Sequence, residues 1–252
     1  MTAKIQPNGT GPDSGATIAD QLTSAVAEAI MTGEIPAGTW LRQAALGTQY
    51  GVSRQPVREA LRQLQAYGLV ELHPRRGALV RRPSVRDVRE AYLVRAELEG
   101  LTAALAARRI THEGLAHLGT CHRAVIDIIN RTHTNAELAR ANDAFHEAII
   151  DAASATIVAR SLEALHRIIP RSLSANALTT SRLVRETVVQ HEAIYVAIEA
   201  GDEDAARAAM RKHVLGSGEV IVDWFEREQA GETRPATPVG VAGSGVRGAL
   251  RK

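Results

Sequence analysis

The feature that most constrains this chain is the stretch GVSRQPVREALR at residues 51–62. Ser53 suits the position just before a helix, where its hydroxyl can accept a bond from a free backbone N–H. Val57, Leu61 and Leu64 follow at helical spacing, so we expect them on one buried face. The stretch therefore predicts an amphipathic helix packed on a small core.

Three arginines, Arg54, Arg58 and Arg62, recur every four residues on the other side of this helix. A guanidinium can pair with O6 and N7 of guanine or hold a phosphate. A solvated charged face is the alternative interpretation. The preceding sequence favours a DNA-recognition helix, because residues 43–50 predict a short helix that Gly51 ends, which gives helix, tight turn, helix.

The sequence after this helix predicts a two-stranded wing. Gly68 ends the arginine helix, residues 69–72 alternate like a strand, residues 74–77 form a turn, and residues 78–80 return. From residue 42 to residue 82 there are eight arginines and two glutamates, a local charge of about +6, whereas the whole chain carries +2. The basic charge is concentrated in one module, which suits nucleic acid.

Residues 33–82 resemble the winged helix-turn-helix domain of the GntR family of bacterial transcription regulators. The resemblance rests on GEIPAG at 33–38, GVSRQPVREAL at 51–61, GLV at 68–70 and RRGALV at 75–80. The chain departs from the family at Gln43, where glutamate is usual, and at Tyr50, where a small apolar residue is usual.

The resemblance implies roles for individual residues in DNA binding. In the family, the arginines that match Arg54 and Arg58 reach base edges. The residue that matches Ser53 touches phosphate, and the wing glycine that matches Gly77 lets the backbone enter the minor groove. The expected DNA contacts are Arg42, Ser53, Arg54, Gln55, Pro56, Arg58, Arg62, Arg75, Arg76 and Gly77. A homodimer on an inverted repeat of double-stranded DNA is the expected complex.

The chain from residue 84 to about residue 228 has the pattern of amphipathic helices. Ser84 and Asp87 form a capping-box pattern at the start of the first long helix, and Arg95 lies on its buried stripe. The further helices are expected at 112–131, 135–153, 156–173, 181–200 and 202–227. Gly216 and Gly218 interrupt the last one and predict a kink or a close helix approach.

The predicted fold is therefore mainly α. A winged helix-turn-helix domain with a small β wing is expected over 16–82, and an all-α bundle of about six helices over 84–228. Residues 1–15 and 231–252 are rich in Gly and Pro and poor in apolar periodicity, so we expect disordered tails there.

Four residues of the second half suggest a metal site. Asn142 and His146 are four residues apart and share a helix face, while His191 and His213 each lie on the apolar stripe of a later helix. For any single histidine, a hydrogen-bonded core residue is the usual alternative. Three imidazoles and an amide oxygen suit a divalent transition metal with an open position, and zinc or nickel is expected.

The second half resembles the all-helical FCD domain that follows the winged helix in the FadR branch of the GntR family. The resemblance rests on YLVRAELE at 92–99, NDAFHEAI at 142–149, QHEAI at 190–194, and the segment from Gly201 to His213. In that family, three histidines and an Asp or Asn bind a divalent metal, and a small effector, commonly a carboxylate, binds beside it. Asn142 stands where Asp is more usual, which removes one negative charge.

Arg95 matches an arginine that lines the effector cavity in the family, and a guanidinium suits a carboxylate. An internal salt bridge with Glu97, Glu99 or another acid is the alternative. Arg171 and Arg182 are weaker candidates for effector binding.

The resemblance covers residues 17–228 and implies a metabolite-responsive transcription regulator, a repressor released by its effector. A metal-dependent hydrolase or lyase that carries a DNA-binding domain is the alternative, because an open metal position also suits water activation. A purely structural metal is a third possibility.

Composition excludes several other classes of protein. No run of eighteen apolar residues is present, and no apolar segment follows Lys4, so we expect neither a membrane span nor a secretory signal. Cys121 is the one cysteine, which excludes a disulfide framework and fits a reducing compartment. A cytoplasmic bacterial protein, associated with the nucleoid when it binds DNA, is expected.

Overall fold

The computed structural model describes residues 16–131, 134–166 and 181–230. The N-terminal part contains α1 (Ile18–Met31), β1 (Trp40–Leu41), α2 (Gln43–Tyr50), α3 (Arg54–Ala66), β2 (Val70–His73) and β3 (Gly77–Val80). The described helices that follow are α4 (Val85–Arg109), α5 (His112–Ile129), α6 (Asn135–Ala153), α7 (Thr156–His166), α8 (Ser181–Glu199) and α9 (Glu203–Gln229). The mainly helical class is confirmed. Both expected tails, and the end of the helix expected at 156–173, lie outside the described residues.

The recognition-type helix α3 has the amphipathic character that its sequence predicts. Val57, Leu61 and Leu64 are buried and pack with α1 in one hydrophobic core. The preceding helix α2 ends at Gly51, whose φ of 68° lies in the left-handed region that glycine adopts without strain. Ser53 occupies the N-cap position of α3, but its side chain makes no capping hydrogen bond.

The wing belongs to a three-stranded antiparallel sheet, one strand more than the sequence predicts. The strand order is β1-β3-β2, and β1 pairs Trp40 with Leu79 and Leu41 with Ala78. Gly77 has φ 107°, and a Cβ there would collide with the backbone carbonyl of Leu41. Glycine is therefore required at the start of β3, where its backbone lies against β1. A two-residue strand is too short to show an alternating pattern, which is why β1 was missed.

The helices after residue 84 pack around a second hydrophobic core. The capping box between Ser84 and Asp87 is present at the start of α4, and Thr134 and Glu137 form another at the start of α6. The largest fully buried side chains of this core are Leu118, Phe145, Ile149, Ile194, Ile198, Met210 and Ile221. None of the described helices is long and apolar enough to cross a membrane.

Helices α4 and α9 make their close approach at one of the two glycines noted in the sequence. A Cβ at Gly218 would lie 2.7 Å from the Cβ and Cγ of Tyr92. The two helices can therefore approach this closely only because Gly218 has no side chain. The expected close helix approach is found at Gly218. A Cβ at Gly216 would meet open space.

Candidate functional site

Three helices bring one histidine each to a common point inside the helical part. His146 comes from α6, His191 from α8 and His213 from α9, and one nitrogen of each lies within 4.8 Å of the others. The Nε2 atoms of His146 and His213 are 3.2 Å apart. The apolar stripes of three amphipathic helices face the same core, so the spacing that predicted inward-pointing imidazoles also brings them together.

The second nitrogen of two of these rings lies close to a neighbouring oxygen. His146 Nδ1 lies 2.9 Å from Oε2 of Glu99, and His213 Nδ1 donates to Oε1 of Gln190 at 2.9 Å. With the proton on each Nδ1, both Nε2 atoms carry a lone pair. In this tautomer the two lone pairs would face each other at 3.2 Å and repel. A cation coordinated by both nitrogens would remove this repulsion.

His191 is the least satisfied of the three histidines. Its side chain is 0% exposed, and neither ring nitrogen has a hydrogen-bond partner among the described residues. Phe145 stacks on one side of the ring at a centroid distance of 4.1 Å. A buried polar group without a partner is costly, and a metal ion bound to one nitrogen would remove part of that cost.

The electrostatic environment keeps two of these imidazoles in the neutral form that binds metals. Burial, and then the neighbouring His213 and His146, hold the pKa of His191 well below its ordinary value. Burial, and then His146, lower the pKa of His213 to about 3. Both rings therefore have a free lone pair at neutral pH.

The fourth predicted ligand, Asn142, lies on α6 one turn before His146 and is partly buried. Helical geometry puts the two side chains on the same side of α6. Of the predicted effector-binding residues, Arg171 lies outside the described residues, and only the backbone of Arg182 is described.

Glu99 is a buried member of the site whose contact with the histidines the sequence did not reveal. The residue is 3% exposed, and its carboxylate accepts a bond from Arg95 Nε at 2.8 Å and lies against His146. Burial would raise the pKa of Glu99, but Arg95 and then His146 outweigh it and hold the pKa well below its usual range. The internal salt bridge of Arg95 is thus the arrangement found.

The same ion pair keeps the guanidinium of Arg95 charged. Burial would lower the pKa of its guanidinium, but Glu99 and then Tyr92 raise it above the ordinary value. The spacing of four residues between Arg95 and Glu99 was the available signal for this pair.

A second site lies on the N-terminal part, between α3 and the wing. It is a cleft of about 820 Å³ in which several of the predicted DNA contacts meet, namely Arg42, Arg54, Arg58, Arg62, Arg75, Arg76 and Gly77. Ser53, Gln55 and Pro56 do not line it, although Gln55 accepts a bond from Arg58 at 2.7 Å. Trp40 and His73 line the cleft as well and were not singled out from the sequence.

Comparison with known proteins assigns both parts of the chain. Residues 18–80 match the family of bacterial regulatory proteins called the gntR family, and residues 90–216 match the FCD domain. The chain belongs to the GntR family. This regulator is 30% identical over 199 residues to the probable D-xylose utilization operon transcriptional repressor of Paenarthrobacter nicotinovorans, covering 79% of this chain and 86% of that protein.

Further relatives agree with this assignment. The chain is 28% identical over 238 residues to the HTH-type transcriptional repressor RspR of Escherichia coli (strain K12). The match covers 90% of this chain and 100% of that protein. The structure of E. coli McbR/YncC has the same fold, with a TM-score of 0.70 and 21% identity over 83% of this chain and 99% of that chain. The sequence relatives are transcriptional regulators and not enzymes, which argues against the hydrolase or lyase alternative.

Proposed function

We propose that this GntR-family regulator is a repressor whose operator binding is controlled by a small carboxylate that binds at a metal ion in the helical domain. The observation that carries the proposal is the group of three buried histidines. Two of them bring their Nε2 atoms to 3.2 Å from each other, and the third has no partner for either nitrogen among the described residues.

His146, His191 and His213 would hold a divalent ion such as zinc or nickel, and the amide oxygen of Asn142 is the proposed fourth ligand. When bound, the metal would supply a positive centre for a carboxylate oxygen. Glu99 fixes the orientation of His146, as carboxylates commonly do for histidine ligands. Arg95, with Arg171 and Arg182, stays a candidate for a second contact with the effector.

On the DNA side, we propose that a homodimer places α3 of each subunit in a major groove and each wing against the neighbouring backbone. The support is the cleft between α3 and the wing, where the row of arginines from α3 meets Arg75 and Arg76. Domain limits of 16–82 and 84–228 are part of the proposal. The description of two relatives as repressors supports repression as the mode of action.

A mobility-shift assay tests this control directly. The probe is a duplex selected by the wild-type protein from a random-sequence pool, and the variables are a panel of small carboxylates with and without a metal chelator. We expect at least one carboxylate to release the duplex only when metal is present, with a coupling of about 1–3 kcal/mol. Binding that no carboxylate changes would instead support a purely structural metal.

A further inference from the structure

Trp40 is a large aromatic residue that is exposed on the sheet of the wing. It lies on strand β1, where alternation turns Leu41 into the core and leaves Trp40 on the outer face of the sheet. The residue is 40% exposed. The indole is thus held on a strand that is hydrogen-bonded to β3, and it is open to a partner from outside.

The surroundings of Trp40 are those of a nucleic-acid surface. The ring lines the cleft that also contains Arg54 and Arg58 of α3. His73 meets it edge to face at a centroid distance of 5.0 Å, and the guanidinium carbon of Arg76 lies 5.9 Å from its centroid. These two wing residues hold the indole at the corner between the wing and α3.

We propose that Trp40 contacts the sugar–phosphate backbone of the DNA that this regulator binds. The flat ring would pack on a deoxyribose, and the indole Nε1–H would donate to a phosphate oxygen. An indole has a donor and no acceptor, which matches phosphate oxygens that only accept. The inference rests on the proposed docking of α3 and the wing on DNA, and it adds a neutral residue to a set composed mainly of arginines.

A neutral backbone contact has a binding signature that differs from that of an arginine. Trp40→Ala is expected to weaken binding to the selected duplex and to a mixed-sequence duplex by the same factor, about tenfold. The slope of log affinity against log salt concentration should not change, because no charge is removed. Arg76→Ala is the matched control and should lower the steepness of that slope by about 1.

Fluorescence separates a direct contact from a merely structural role. The chain has two tryptophans, so in Trp224→Phe the emission comes from Trp40 alone. Adding saturating mixed-sequence duplex is expected to change that emission and to protect it from quenching by acrylamide. In Trp40→Phe the remaining emission comes from Trp224, which packs against the helical core, and it should not change.

The inference is overturned if Trp40 emission and its quenching stay the same at saturating DNA, even when Trp40→Ala binds more weakly, because the residue would then only support the wing. Native affinity of Trp40→Ala overturns it as well. If Trp40→Ala does not fold, the fluorescence measurements on Trp224→Phe and Trp40→Phe still test the contact.

The failure of this inference can be told apart from the failure of the proposed function. If Arg58→Ala weakens DNA binding while Trp40 emission is unchanged, this inference fails and the proposed function stands. A wild-type protein that binds no duplex overturns both.

Discussion

At the scale of single residues, Arg58 lies in the middle of the arginine row of α3, with its guanidinium held by Gln55. Arg58→Ala is expected to reduce affinity for the selected duplex by about 1–3 kcal/mol, because a bidentate contact to a guanine is lost. Fluorescence anisotropy with selected and mixed-sequence duplexes measures this. Arg86→Ala, which removes an exposed arginine from α4, is the control. Equal losses on both duplexes would make Arg58 a phosphate contact.

Glu99 offers a test of how His146 is oriented. Glu99→Gln keeps the shape but removes the charge beside His146, so we expect metal affinity to fall about 10- to 100-fold. Competition with a chromophoric chelator measures the affinity. Glu97→Gln changes an exposed carboxylate on the same helix, paired with Arg211, and should leave metal affinity unchanged. Identical affinities in the two variants would contradict the orienting role of Glu99.

The three histidines could be predicted from the sequence, because each lies at helical spacing on an apolar stripe and such stripes face the core. The contact between Glu99 and His146 could not be predicted in this way. Helical periodicity says which way a side chain points, but the register between α4 and α6 decides which buried partner it meets. Sequence reasoning reached Arg95 and Glu99 as a possible pair only because they share a helix.

At the scale of elements, the contact between α4 and α9 depends on a missing side chain. Gly218→Ala places a methyl group against Tyr92 and is expected to lower the free energy of unfolding by about 1–3 kcal/mol. Gly216→Ala is the matched control, since its Cβ meets open space and alanine favours a helix interior by about 1 kcal/mol. Urea denaturation measures both. Equal effects of the two substitutions would contradict the close packing at Gly218.

The long helices were predicted well because their ends carry chemical signals. The helix expected at 135–153 has those limits in the structure, and the capping box predicted at Ser84 is present. Strand β1 escaped prediction because its pairing with β3 is decided by the fold and not by a local pattern. No local pattern therefore marks Trp40 as an exposed strand residue.

At the scale of the whole molecule, the buried histidines make the stability of the metal-free protein depend on pH. The pKa of His213 is lowered to about 3, and that of His191 is well below its ordinary value. In the unfolded chain both return to about 6.5. Below that pH the unfolded chain binds more protons, so the free energy of unfolding should fall as pH drops from 6.5 towards 3. The limiting slope is about 1.4 kcal/mol per pH unit for each histidine.

Denaturation in urea at several pH values between about 7 and 5, after removal of metal, measures this dependence. Glu99 does not contribute in this window, because a glutamate of the unfolded chain, with a pKa of about 4.3, is ionised there just as the folded Glu99 is, whose pKa is lowered. The variant His213→Asn should show a weaker dependence than the wild type. A free energy of unfolding that is constant over this range would contradict the neutral, buried state of the histidines.

The central claim is that the three buried histidines hold a metal ion, and elemental analysis of the purified protein tests it most directly. His122 is also buried but lies outside the histidine group, so His122→Ala is the matched control for His191→Ala. We expect about one transition-metal ion per chain in the wild type and in His122→Ala, and little in His191→Ala with its helical circular dichroism intact. The claim is contradicted if the wild type holds no metal after incubation with zinc, nickel and manganese, or if His191→Ala retains the full amount.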